Sequence, residues 1–346
     1  MVALGPSGSL YGMTNEGGPA NAGVVYRIDA SGKETVLYSF TGGADGGTPN
    51  GTASLALDTA GNVYGATVHG GVADEGVIYK VDPLGNETVL HSFYGGSDGG
   101  YPIGVVIDPA GNLYGATAFG GSGSQTGLQE GVVFKLDPAG NETVLYSFTG
   151  LSDGGVPEAA PAIDAAGNLY GTTAQGGLGA GVVYEISAAG VYKVLYAFTG
   201  GADGAEPYAG VILDPVGNLY APNVRYGAGG EGVVYRLDRA GDCTVLYSFT
   251  GGSDGGEPFA GVARDRAGNL YGSDSRGGIS SCYLEQGCGV VYELTAAGQL
   301  IILHSFTGGA DGAGSGAVVW DRSGNLFGPA GGGPSGSGLI YRMLLQ

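Results

Sequence analysis

Basic residues are scarce in this chain. Its 13 lysines and arginines stand against 32 aspartates and glutamates, a formal charge of -19 over 346 residues. Such a field repels a phosphate backbone at long range, so nucleic acid is not an expected partner. Long apolar runs are missing as well. No stretch approaches the roughly 20 apolar residues that span a bilayer, and no basic amphipathic helix is legible, so membrane insertion is not expected. The opening Met1-Val2-Ala3-Leu4-Gly5 lacks the basic and apolar regions of a secretory signal. Either a leader has been removed or the sequence starts inside a longer one. Cysteine and histidine number three each. None of their spacings resembles a four-ligand zinc site, and no metal is expected.

What the chain has in excess is glycine, 75 of 346 residues. These glycines do not form a low-complexity tract. They sit at fixed offsets between apolar runs such as Val132-Val133-Phe134, as turn punctuation does. Residues 108–115, Asp-Pro-Ala-Gly-Asn-Leu-Tyr-Gly, set the period. The aromatic of that stretch recurs at Tyr11, Tyr64, Tyr114, Tyr170, Tyr220, Tyr271 and Phe327, in steps of 53, 50, 56, 50, 51 and 56 residues. Seven copies of one unit override the length prior for two domains and predict a single domain over residues 1–346.

Each unit divides into four short apolar runs separated by turn signals, which argues for strands and against helices. In the third unit, residues 104–107 form a first strand and 112–117 a second. Between them lies a turn with proline second and a glycine free to take positive φ. A loop over 118–131 leads to a third strand at 132–136, and a second Asp-Pro-Ala-Gly turn leads to a fourth at 142–148. Four antiparallel strands per unit, seven units and no helices predict an all-β, seven-bladed β-propeller with one blade per unit. Apolar residues at successive positions, as in Val-Val-Tyr, suit a sheet covered on both faces. A β-solenoid is the rival, and units of this length are long for one of its coils. The fourth strand occurs only six times, ending at Phe40, Phe93, Phe148, Phe198, Phe249 and Phe306. A last blade of three strands is therefore predicted, with the natural protein supplying the fourth from a removed N-terminal segment.

The units resemble the GloVer (Gloeobacter/Verrucomicrobia-type) tandem repeat of exported bacterial proteins. The resemblance rests on Gly-Asn-Leu-Tyr-Gly-x-Thr-x-x-Gly-Gly, Gly-Val-Val-Tyr-x-Leu-Asp and Thr-Val-Leu-Tyr-Ser-Phe-Thr-Gly, and covers essentially the whole chain. More loosely, Asp-x-x-Gly-Asn-Leu-Tyr looks like the repeats of NHL-type propellers. The resemblance implies export and often a C-terminal surface anchor, although no anchor follows Met343. It brings no catalytic motif.

In a four-stranded meander the first–second and third–fourth turns share one end of the blade. That end carries near-uniform Asp-x-x-Gly-Asn turns. The second–third loops and the blade-to-blade connections share the other, where length and content vary, and variable loops on a rigid frame are where binding is expected. Of 22 tyrosines, 16 recur at strand positions and read as core. The aromatics outside the repeat, including Tyr101, Phe119, Tyr208, Tyr226, Phe259 and Tyr283, fall mostly on the variable end as stacking platforms or as ordinary loop residues.

Only Arg225 and Arg276 among the basic residues lie in second–third loops, on adjacent blades, amid acids that include Glu158, Glu206, Glu257 and Asp274. Pairing with those acids is the expectation. Left free, they would converge with Tyr226 as a fork for a carboxylate. His69 is the one histidine on a variable loop, either solvated or a proton-transfer group. His91 and His304 take the fourth-strand slot of Tyr38 and Tyr146, and Cys243 takes that of Glu34, Glu87 and Glu142. All three read as inert substitutions. Cys282 and Cys288 bracket a loop short enough to close in a disulfide, which would fit an oxidising compartment; two reduced surface thiols are the other reading. The connections repeat Gly-Gly-x-Asp-Gly, first of all a turn signature. Calcium is the alternative there, without the ligand density of dedicated calcium loops, and no cofactor is otherwise expected.

These features lead to an exported or cell-surface, monomeric binding module, with a carbohydrate as the preferred ligand. The expected ligand residues are Arg225, Tyr226, Arg276, Tyr208, Phe259, Glu158 and His69. Another surface protein is a further partner class. The alternative is a polysaccharide lyase or hydrolase on an acidic glycan, with Arg225 and Arg276 neutralising a uronate and His69 or a tyrosine moving the proton. A structural or protein-interaction scaffold is the third reading.

Overall fold

The computed structural model describes residues 2–5, 8–49, 54–122, 130–279, 282, 286–321 and 323–345. Tyr283 and much of the loop 118–131 lie outside them. Among the described residues there is no helix, and so none long and apolar enough to cross a membrane. The strands fall into seven sheets, and the fold class is a seven-bladed β-propeller.

The third blade shows how the sequence makes a sheet. Its strands Gly100–Ile107, Leu113–Phe119, Val132–Leu136 and Glu142–Ser147 pair antiparallel in chain order. The first strand starts four residues earlier than predicted, because the ladder continues through Pro102↔Thr117 and Gly100↔Phe119 beyond a register shift between Pro102 and Gly104. A proline, which cannot donate to the ladder, is accommodated beside such a bulge. The first blade begins with the short strand Val2–Leu4. In the last blade, Ala313–Ser315 and Val319–Trp320 both pair with Asn325–Gly331, which pairs in turn with Leu339–Leu344. That is a first strand in two pieces, a second and a third, as predicted.

The Asp-x-x-Gly-Asn turn is closed by its own side chains. Asp108 Oδ1 accepts the amides of Ala110 at 2.8 Å and Asn112 at 2.9 Å. Its Oδ2 accepts Asn112 Nδ2 at 2.7 Å and Tyr114 Oη at 3.2 Å. The same set recurs around Asp58, Asp164 and Asp214. Burial pushes the Asp108 carboxyl up, but these hydrogen bonds outweigh it and hold the group below the usual aspartate range.

The chain forms two compact units, Met1–Gly176 with Tyr184–Val194, and Gly177–Val183 with Leu195–Gln346. Both use one device between successive blades. In the first unit, the phenylalanine ending a fourth strand meets the third-strand aromatic of the next blade: Phe40 on Tyr79 at 4.9 Å between ring centroids, Phe93 on Phe134 at 5.3 Å and Phe148 on Tyr184 at 5.4 Å. In the second unit the pairs are Phe198–Tyr235 at 5.0 Å, Phe249–Tyr292 at 5.3 Å and Phe306–Tyr341 at 5.7 Å. The rings meet edge-on or tilted, a geometry that contributes about 1 kcal/mol beyond area burial. The glycine of Leu-Tyr-Gly makes room for them: a Cβ on Gly272 would lie 2.3 Å from Tyr292 Oη.

Candidate functional site

The blade-to-blade connections are built on a second aspartate turn. Asp45 accepts Tyr38 Oη at 2.9 Å, the Thr41 amide at 2.8 Å and the Thr41 hydroxyl. Asp153, Asp203 and Asp254 repeat this arrangement with Tyr146, Tyr196 and Tyr247. At Asp311 the partner is His304 Nε2 at 3.0 Å, so this histidine replaces a tyrosine in kind. These carboxylates serve their own loops.

Three residues beyond Asp45, Asp98, Asp153, Asp203 and Asp254 the backbone turns left-handed at a non-glycine residue: Thr48, Tyr101, Val156, Glu206 and Glu257 have φ between 50° and 56°. Strain of this kind costs on the order of 1 kcal/mol or more and persists only where its surroundings fix it. Here the fixing contact is the residue's own N–H. It donates to a carbonyl just before the third strand of the preceding blade, Ala22, Glu75, Glu130, Ala180 and Glu231 respectively, at 2.8 to 3.1 Å. Beside the left-handed residue stands the end of the second strand. Gly47 pairs with His69, Gly100 with Phe119, Gly155 with Gln175, Ala205 with Arg225 and Gly256 with Arg276.

Where side chains at these two positions meet, their chemistry differs between the units. In the first unit His69 lies edge-on to Tyr101 at 5.3 Å, and Tyr101 to Phe119 at 5.2 Å. In the second unit they form ion pairs, Arg225 Nε to Glu206 Oε2 at 2.7 Å and Arg276 Nε to Glu257 Oε2 at 2.9 Å. The pairing expected from the sequence is present. The hydrogen bond and charge of Glu206 hold the Arg225 guanidinium above its ordinary range, with a smaller contribution from Glu257.

Two residues further on, after a proline, stand Glu158, Tyr208 and Phe259 at one repeat position. Tyr208 and Phe259 have their ring centroids 5.6 Å apart, tilted by 51°. Phe259 is 40% exposed. Tyr226 follows Arg225 with φ 62°, its carbonyl accepting the Gly232 amide at 2.8 Å, and the residue is 53% exposed. Glu158, in the first unit, is half-buried and pushed up to about 7 by that burial.

The second unit therefore gathers Arg225, Arg276, Tyr208 and Phe259 from the expected set, with Tyr226 beside Arg225; Glu158 and His69 belong to the first. Sequence reasoning did not single out Glu206, Glu257, Tyr101 or Phe119 as site residues. The signal was there: the first three precede the proline after Gly-Gly-x-Asp-Gly. Cys282 and Cys288 form a disulfide with Cα atoms 5.3 Å apart, next to Gly308. Cys243 is half-buried, its thiol pushed up to about 11 by burial and by Asp203, and at neutral pH it stays protonated.

Fold and loop end together define a tandem-repeat β-propeller whose side-chain variety is concentrated at one end of its blades. The chain belongs to the Gloeobacter/Verrucomicrobia repeat family, whose model matches residues 1–180, 52–284 and 160–346. No curated protein matches the sequence. Among solved structures the chain is similar to puromycin hydrolase, at 12% identity and TM-score 0.64, covering 99% of this chain and 51% of that one. It is similar to streptogramin B lyase at 12% identity and TM-score 0.56, covering 94% and 88%. A gluconolactonase from Xanthomonas campestris matches at 15% identity and TM-score 0.50, covering 89% and 86%. These likenesses are of fold.

Proposed function

We propose that the protein is an exported or cell-surface binding module that takes a neutral glycan on the loop end of its fifth and sixth blades. The observation that carries this reading is the Tyr208–Phe259 ring pair flanked by the Arg225–Glu206 and Arg276–Glu257 pairs. Sugar rings present an apolar face that stacks on aromatics and a rim of hydroxyls that both donate and accept. A guanidinium beside a carboxylate offers both. Because each arginine already has its counter-charge, the site favours a neutral polyol over a uronate, which would have to displace a glutamate. An acidic-glycan lyase would need those arginines free. The Cys282–Cys288 disulfide supports an oxidising compartment outside the cytoplasm.

The test is a glycan array followed by calorimetry on the wild type and on Tyr208→Ala and Phe259→Ala. Each substitution is expected to weaken binding about tenfold, on the order of 1.4 kcal/mol, with the melting temperature unchanged. Absence of any bound glycan, or affinities indifferent to both substitutions, would remove the reading.

A further inference from the structure

The loop end of the second and third blades differs in kind from that of the fifth and sixth. His69, Tyr101 and Phe119 form a row of rings, 5.3 Å and 5.2 Å between centroids, with neighbouring planes turned by 77° and 89°. His69 and Tyr101 are half-buried and Phe119 is 44% exposed, so the row is anchored at one end and open at the other. The backbone holds it in place. Gly100 pairs with Phe119, which sets that ring beside residue 101. Tyr101 is fixed at φ 56° by its amide, which donates to Glu75 O at 2.9 Å.

The acid next to the row has no counter-charge. The Glu75 side chain lies along Gly95 and Gly100: a Cβ on Gly100 would stand 2.5 Å from Glu75 Oε2, and one on Gly95 would stand 2.7 Å from Glu75 Oε1. Two glycines thus let the carboxylate reach the residue that precedes Tyr101. Among the described residues it has no ion pair and no hydrogen-bond partner. The acids around it are engaged: Asp74 Oδ1 accepts the Gly70 amide at 2.7 Å, and Asp98 Oδ2 accepts the Tyr94 amide at 2.9 Å. Glu206 and Glu257 of the second unit each have an arginine. Residues 69–76, 94–101 and 118–131 contain no lysine or arginine at all.

We propose that the ring row and Glu75 form a second binding site, for a small quaternary ammonium cation of the choline type. Such a cation is attracted to aromatic faces, and rings held at right angles give it two walls at once. The unpaired carboxylate supplies the balancing charge. A primary ammonium is compact and strongly hydrated, and gives up more on leaving water. A neutral ligand would leave Glu75 without a partner, and an anion would be repelled by Asp74 and Glu75. The chain's formal charge of -19 adds a field that concentrates cations at its surface. The site shares no residue with the Tyr208–Phe259 pair, so the glycan reading and this one stand or fall separately.

The experiment titrates choline chloride into the whole chain at low ionic strength, followed by calorimetry. A dissociation constant near about 1 mM is expected from a few cation–π contacts and one carboxylate. The uncharged isostere 3,3-dimethylbutan-1-ol should bind about tenfold more weakly, because it keeps the shape and loses the cation. Glu75→Gln and Phe119→Ala should each weaken choline about tenfold, while Tyr208→Ala leaves it unchanged. Glu75→Gln preserves the side-chain shape, and an unaltered melting temperature separates loss of charge from loss of fold. Phosphocholine should bind more weakly than choline, since its phosphate meets Asp74 and Glu75. The proposal is overturned if choline shows no saturable binding, if the isostere binds as well, or if Glu75→Gln leaves the affinity as it was. Tighter binding of phosphocholine or of phosphatidylcholine vesicles than of free choline would also overturn it, by making a lipid headgroup the ligand.

Discussion

The two ends of each blade use the same chemistry to opposite effect. At one end Asp108 and its counterparts close a turn in which aspartate, asparagine and tyrosine each have an assigned bond. At the other end Asp45 and its counterparts close a connection equally firmly. There, however, the geometry of the next residues is fixed by main-chain groups, from Thr48 N to Ala22 O and so on through the blades. Where side chains fix the backbone, the sequence repeats. Where the backbone fixes itself, the side chains are free to differ, and they do: a histidine–aromatic row in one unit, arginine–glutamate pairs in the other.

The comparison breaks most visibly if frame and loop aromatics prove equivalent. Phe249→Ala, at a fully buried ring, is expected to cost about 3–5 kcal/mol, read as a lower denaturant midpoint, whereas Phe259→Ala should stay within about 0.5 kcal/mol. Next in size comes the turn. Asp108→Ala removes bonds to a charged acceptor and should cost about 1–3 kcal/mol in the same measurement.

A smaller effect separates the frame by pH. Glu87 and Glu142, at the start of fourth strands, are pushed up to about 7, first by burial and then by Asp45 and Asp98 respectively. The folded state holds their protons above the ordinary value of 4.5, so their contribution to stability falls as pH rises from there to about 7 and the loss is complete beyond it. Glu87→Gln should therefore raise the melting temperature at pH 8, by about 2 °C, and leave it unchanged at pH 4. A rise of the same size at both would sink the burial account. The smallest expected effect is at the loop end itself: Glu206→Gln breaks a largely exposed ion pair and should shift stability by no more than about 1 kcal/mol, while releasing Arg225 for an acidic ligand.

Much of the frame was legible because a period leaves little freedom. Seven copies of Leu-Tyr-Gly or a close variant set the blade count, and six fourth-strand endings in Ser-Phe or Ala-Phe set the number of fourth strands. The strand limits in the third blade were not legible, because the bulge before Gly104 shifts the ladder without any change in hydrophobic pattern. That Arg225 would pair with an acid was foreseeable from the surrounding charge. That the acid is Glu206, 19 residues earlier, follows from a left-handed residue and a strand end brought into register, which no linear spacing announces. Tyr192 shows the converse. It fills the slot of Glu87 and Glu142, and its ring stacks on Tyr146 at 3.7 Å while its hydroxyl donates to Asp153 O, an accommodation visible only in three dimensions.

The left-handed residue of each connection reaches its neighbour through its amide, and any amino acid except proline has one. Position 48, 101, 156, 206 or 257 can thus be rewritten singly without disturbing the bond that ties its blade to the one before. Such a molecule is a rack of separately addressable slots. New specificities could be assembled on it by exchanging side chains slot by slot, with asparagine, aspartate and glycine, which tolerate that backbone best, as the least strained first choices.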